Sequence, residues 1–140
     1  MYVLDTDHMS LLEWGGEDSA RLRERLADLE NDQLFVTIVS YEEQIRGWMA
    51  YLAKSKTTEQ RVVAYARLRH QLVNYCQVPL LDFGAEAASK FDEFRSAKIR
   101  VGAMDLRIAS IVLANDMTLL TRNSVDFERV PDLRFEDWSS

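Results

Sequence analysis

The stretch Tyr2-Val3-Leu4-Asp5-Thr6-Asp7-His8 decides the fold. Three apolar residues stopped at once by an acidic, polar cluster read as a short buried strand with carboxylates at its C-terminal end. Further along, Leu34-Phe35-Val36-Thr37 is a second strand, rich in residues that suit a pleated surface. Val78-Pro79-Leu80-Leu81 is a shorter one, whose proline predicts an edge position or a strand beginning. Met117-Thr118-Leu119-Leu120-Thr121 is another, and the tail with Leu133, Phe135 and Trp138 offers a short last strand.

Helices fill the intervals. Leu22, Leu26 and Leu29 recur at helical spacing between Asp18 and Leu29. Tyr41, Ile45, Trp48, Met49 and Leu52 form one apolar stripe. After a break at Ser55-Lys56, Thr57 and Gln60 have the spacing of a capping box that opens a second helix. Tyr65, Leu68, Leu72 and Tyr75 are expected to line its inner face, and two helices joined so tightly should form an antiparallel hairpin. Residues 84–97 are helical with Ala87, Phe91 and Phe94 inward. Residues 103–115 are apolar almost all round, which predicts a helix buried against a sheet. Strands alternating with helices give an α/β fold: a parallel sheet of four to five strands, covered on both faces, in one domain over residues 1–140.

Composition narrows the chemistry. The chain has 140 residues, 47% hydrophobic and 29% charged, with no apolar run long enough to span a bilayer. No basic segment precedes the short apolar N-terminal stretch, so a signal peptide is not expected and a cytoplasmic protein is. A single cysteine and two histidines argue against a transition-metal cage. The net charge of −6 is unusual for a nucleic-acid binder. It is ordinary for an enzyme that must gather carboxylates around a divalent cation, so bulk charge leaves the substrate open.

In a parallel sheet, ligands bind beyond the carboxyl ends of the strands. Asp5 follows the first strand, Glu42 and Glu43 follow the second, and Asp126 lies just past the Met117–Thr121 strand. Asp105 interrupts the apolar helix, where a carboxylate must be paired, hydrogen-bonded or bound to a cation. A helix N-terminus also favours an acid there. Acids converging on one edge repel unless a cation neutralises them, and magnesium, an oxygen-seeking ion, suits such a set.

Four segments together resemble the motifs of PIN-domain ribonucleases of the VapC toxin type. Val3-Leu4-Asp5-Thr6-Asp7 is similar to their opening strand and Asp-Thr-Asn. Thr37-Ile38-Val39-Ser40-Tyr41-Glu42-Glu43-Gln44-Ile45-Arg46-Gly47 is similar to their strand, hydroxyl residue, Glu and following Gly. Gly102-Ala103-Met104-Asp105-Leu106-Arg107-Ile108-Ala109 resembles Gly-x-x-Asp-x-x-Ile-Ala, and Thr121-Arg122-Asn123-Ser124-Val125-Asp126-Phe127 resembles Thr-x-Asn-x-x-Asp-Phe. The motifs occur in order and span nearly the whole chain.

The resemblance implies a three-layer α/β/α fold with a protruding helical hairpin, and Asp5, Glu43, Asp105 and Asp126 as metal-binding catalytic acids. Glu43 is preferred because it stands four residues before Gly47, although helical periodicity alone leaves Glu42 open. Thr6 and Asn123 become polar groups that orient the metal or the acids. Asp7 stands where the family usually has Asn. The implied activity is magnesium-dependent hydrolysis of RNA, with manganese as a substitute, leaving a 5′-phosphate and a 3′-hydroxyl. Arg46, Arg107, Arg122 and Arg129 lie in or beside the motifs as candidate phosphate contacts, Arg107 foremost because it too interrupts the apolar helix. Arg67, His70 and Asn74 share what reads as the outer face of the second hairpin helix, and His8 reads as a local hydrogen-bonding residue rather than a ligand.

Family members of this type pair with a small antitoxin, and the aromatic faces of the 41–76 hairpin would suit an antitoxin or a homodimer. Two alternatives stand beside this reading. A degenerate PIN domain would bind RNA or protein without cutting. A haloacid-dehalogenase-like phosphatase also opens with Asp-x-Asp, but expects a glycine soon after, where His8-Met9-Ser10 stands.

Overall fold

The computed structural model describes residues 1–30 and 32–140. Among them, β1 (Tyr2–Leu4), β2 (Leu34–Thr37), β3 (Leu80–Leu81), β4 (Thr118–Leu120) and β5 (Arg134–Glu136) form one sheet in the order β3-β2-β1-β4-β5. Every pairing is parallel: Val3 sits opposite Phe35 on one side and Leu119 on the other. The proline-bearing strand is at an edge, as its sequence predicts, and the tail supplies the other edge.

Alternation along the strands divides the core. Val3 and Leu119 face one apolar cluster, with Phe35 and Phe135 packed against it; Leu4, Val36 and Leu120 face a second. The first is covered by α5 (Ala85–Ser96) and α6 (Ala103–Ala114). In α6, Leu106, Ile108, Ile111 and Val112 are fully buried, each contributing about 1.5–3 kcal/mol. The second cluster takes Met9 and Leu11 from α1 (Thr6–Trp14), Leu22 from α2 (Ala20–Ala27) and Tyr75 from the end of α4 (Thr58–Tyr75). This is the expected three-layer arrangement.

The α1 helix was not expected from the sequence. Its nine residues are capped by Asp5, whose side chain accepts the His8 amide at 2.8 Å. It stops at Gly15, where any Cβ would collide with the Leu11 carbonyl, and Gly16 turns the chain at φ +53°. The α3 helix (Ile38–Lys54) starts directly on β2, capped by Thr37. Residues 55–57 then lead into α4, which opens with the Thr57–Gln60 capping box. Tyr41 and Tyr75 meet edge-on at 5.3 Å, so the two ends of the hairpin come together beside the sheet.

The inner face expected for α4 needs correction. Tyr65 and Leu72 are 61% and 53% exposed, whereas Ala64, Gln71 and Tyr75 are buried. Ala64 and Gln71 are buried on the inner side together with Tyr75, while Tyr65 and Leu72 point outward. The face carrying Arg67, His70 and Asn74 is not an outer one either. Arg67 lies 3.7 Å over the Trp14 ring, His70 packs on the same indole at 4.9 Å, and Asn74 lies beside Glu13. That face is docked on the end of α1. A short helix, α7 (Ser124–Phe127), follows β4.

Candidate active site

The chain order reverses across β1, with β2 on one side and β4 on the other. The crevice at the carboxyl ends of these strands is therefore the expected ligand position in a sheet of this kind. Asp5 leaves β1 there, its amide tied to the Leu120 carbonyl of β4 at 3.1 Å. Glu43 comes from the second turn of α3, Asp105 from the first turn of α6, and Asp126 from α7.

Polar residues join these acids in two sets. Thr6 Oγ1 donates to Glu43 Oε1 at 2.8 Å and lies 3.0 Å from the buried Ser40 hydroxyl. Asn123 Nδ2 donates to Asp126 at 2.9 Å and approaches Asp105 at 3.5 Å, while its own amide is held by Thr121 Oγ1. Glu42 turns away from this arrangement and pairs with Arg46 on the exposed side of α3. Geometry thus brings Glu43, not Glu42, to Thr6.

The acids act on one another strongly. Asp105 is pushed up to about 6, first by burial and then by the carboxylates of Glu43, Asp5, Asp126 and Asp7. Glu43 is raised by burial, against the opposing hydrogen bond from Thr6, with Asp7, Asp5 and Glu42 adding to the rise. Asp7 is raised by burial and by Asp5, and lowered by Arg122 and His8. Among the described residues, the charged groups that shift Asp105 are all acidic.

Such a set fits a hard divalent cation held by oxygen ligands. Among the described residues no three His, Cys, Asp or Glu side chains form a finished cage. Asp5, Glu43, Asp105 and Asp126 would hold the ion.

The arginines are dispersed. Arg107 donates to the Met104 thioether and lies 5.3 Å from the Phe91 ring, so it is packed against α5 and not aimed at the acids. Arg46 is engaged by Glu42. Arg129 lies 3.9 Å from Asp126 and donates to the Arg100 carbonyl. Arg122 faces Asp7 across a surface cleft lined also by Ser10 and Trp14.

Several participants escape a reading of the sequence. His8 is completely buried; among the described residues its amide makes the local hydrogen bond to Asp5, while neither ring nitrogen has a partner. Its spacing of three from Asp5 was the available signal. Ser40 backs Thr6. The Tyr75 phenol is pushed up by burial and then by Glu13, Glu43 and Asp5. Only tertiary packing brings residue 75 near them.

Residues 2–133 match the PIN domain family. The chain belongs to that family. Among relatives, it is similar to the tRNA(fMet)-specific endonuclease VapC of Shigella flexneri, 29% identical over 124 residues, 86% of each chain. It is also similar to Ribonuclease VapC2 of Rickettsia felis, 33% identical over 66 residues. That match spans 44% of this chain and 49% of the relative, about half of its length. The fold resembles the crystal structure of DNA-bound VapBC from Salmonella typhimurium, with TM-score 0.77 and 25% identity over 98% of this chain and 97% of that one. Among the described residues, no helix of this PIN domain is long and apolar enough to cross a membrane.

Proposed function

We propose that this chain is a magnesium-dependent endoribonuclease, the toxin of a toxin–antitoxin pair, acting as a single domain in the cytoplasm. The observation that carries the reading is the convergence of Asp5, Glu43, Asp105 and Asp126 on one crevice, with only acidic neighbours acting on Asp105. The names of the VapC relatives support the nuclease part, and the VapBC structure supports a partner protein.

A bound magnesium, or manganese in its place, supplies a water of lowered pKa and a clamp for the scissile phosphate. The residues of the chain prepare for it. Thr6 fixes the Glu43 carboxylate by its 2.8 Å hydrogen bond, and Asn123 ties Asp126 towards Asp105. Asp5 is held at the start of α1 by the His8 amide. Arg122, exposed beside Asp7, is the cation best placed to meet a phosphate entering the crevice. The exposed Met49, Tyr51, Val62 and Tyr65 of the hairpin are the surface on which an antitoxin or a second copy would sit.

The test is RNA cleavage by the purified chain with magnesium, with EDTA, and by Asp105→Ala. Because one relative is named for tRNA(fMet), initiator tRNA is the first substrate, followed by a mixed structured RNA pool. Cutting that requires metal and Asp105 is the expected result. A folded, metal-saturated protein that binds RNA without cutting it would overturn the nuclease in favour of a binding module. Release of phosphate from a generic monoester, lost in Asp5→Ala, would favour a phosphatase.

A further inference from the structure

The most anomalous group near the crevice is the imidazole of His8. It is fully buried, yet neither Nδ1 nor Nε2 has a hydrogen bond, an arrangement that is unfavourable unless another interaction compensates it. Two carboxylates bracket the ring. Asp5 Oδ1 is 3.4 Å from Nδ1, and Asp137 Oδ1, from the segment after β5, is 3.7 Å from Nε2.

We propose that His8 is a positioning residue that links Asp137 to Asp5 and fixes the Asp5 carboxylate for its cation. This rests on the metal-dependent reading above. Asp5 Oδ1 accepts from the His8 amide at 2.8 Å, and the ring Nδ1 lies 3.4 Å from the same oxygen without a hydrogen bond, so residue 8 borders that oxygen on two sides. The Oδ2 atom has no donor among the described residues and is left for a ligand.

The far end of the link is itself anchored. Asp137 accepts from the amide of Ser139 at 2.9 Å and from its hydroxyl. The adjoining Trp138 is buried against Tyr2 at 4.6 Å, with the Arg25 guanidinium 4.4 Å above its ring. The C-terminal segment therefore holds a carboxylate at a fixed height beside the ring. Outer partners of this kind set ligand orientation in metal sites, and losing one typically weakens metal binding about tenfold to a hundredfold.

The experiment is manganese binding to the RNA-free protein by calorimetry, paired with thermal unfolding in EDTA. Wild type is compared with His8→Leu, His8→Asn and Asp137→Asn. His8→Leu should bind manganese about tenfold or more weakly. His8→Asn, whose amide nitrogen falls near the position of Nδ1, should recover most of the affinity. Asp137→Asn should show a smaller loss with an unchanged metal-free melting temperature, since its side chain is 36% exposed. If His8→Leu fails to fold, Asp137→Asn decides alone. Wild-type affinity in Asp137→Asn and His8→Leu would overturn the link while leaving the metal site standing. A wild-type protein that binds no manganese would overturn the metal-dependent reading and the link with it.

Discussion

The crevice and the hairpin share the α3 helix but solve their electrostatics in opposite ways. In the hairpin, polar groups find partners close by, Thr57 with Gln60 and Glu42 with Arg46, while Arg67 stacks on Trp14 of α1. In the crevice, Asp105 is surrounded by Glu43, Asp5, Asp126 and Asp7, and its carboxyl is held near 6. The hairpin is built for stability from local rules. In the crevice these carboxylates raise one another, an arrangement common at functional sites.

Substitutions should separate the two regions. The largest effect is expected from Asp5→Ala or Asp105→Ala, which should lower magnesium-dependent RNA cleavage at least about a hundredfold by removing part of the metal's transition-state stabilisation. Thr57→Ala in the hairpin should leave the cleavage rate near wild type. A single-turnover assay on one RNA measures both, and a comparable loss in Thr57→Ala would erase the contrast. Next, Asn123→Ala removes the donor that joins Asp126 and Asp105, and should weaken magnesium dependence about tenfold in the same assay.

Stability should respond in opposite directions. Without metal at pH 7, Asp105→Asn should be more stable than wild type by about 1 kcal/mol, because it removes a repelled charge. Thr57→Ala should be less stable by about 1 kcal/mol through loss of its cap. Denaturant unfolding in EDTA checks the two signs, and a destabilised Asp105→Asn would mean that the carboxylate is supported by the fold. The smallest effect concerns pH. Asp105 in the folded chain titrates near 6 against an ordinary value of 3.8, so the folded state binds the extra proton between them. Wild-type, metal-free stability should therefore rise as pH falls from above 6 towards 4, and its deficit against Asp105→Asn should close over that window.

Much of this was legible in the sequence where local rules operate. Short apolar runs marked the strands, Thr57 and Gln60 marked the start of α4, and acids after strands pointed to the crevice. The α1 helix was missed because its nine residues carry little contrast between faces and begin in a cluster, Asp5-Thr6-Asp7-His8, that also reads as loop. The inner face of α4 was misjudged because the residues buried there include Ala64 and Gln71, not the bulkier Tyr65 and Leu72. Arg107 interrupts the apolar helix for Phe91 and Met104, a reason that only packing reveals. His8 and Asp137 lie at opposite ends of the chain, and no spacing rule connects them.

The strand order has a consequence for when the protein becomes competent during synthesis. Central strand β1 is made well before one of its two neighbours, β4, which pairs Thr118 with Tyr2. Asp126 lies later still, and residues 134–136, which form the strand beside β4, come after it. Contacts of such long sequence separation form late and slowly. A chain still emerging from the ribosome therefore holds Asp5 and Glu43 without their partners. Its four acids can assemble only once the chain has been made past residue 126.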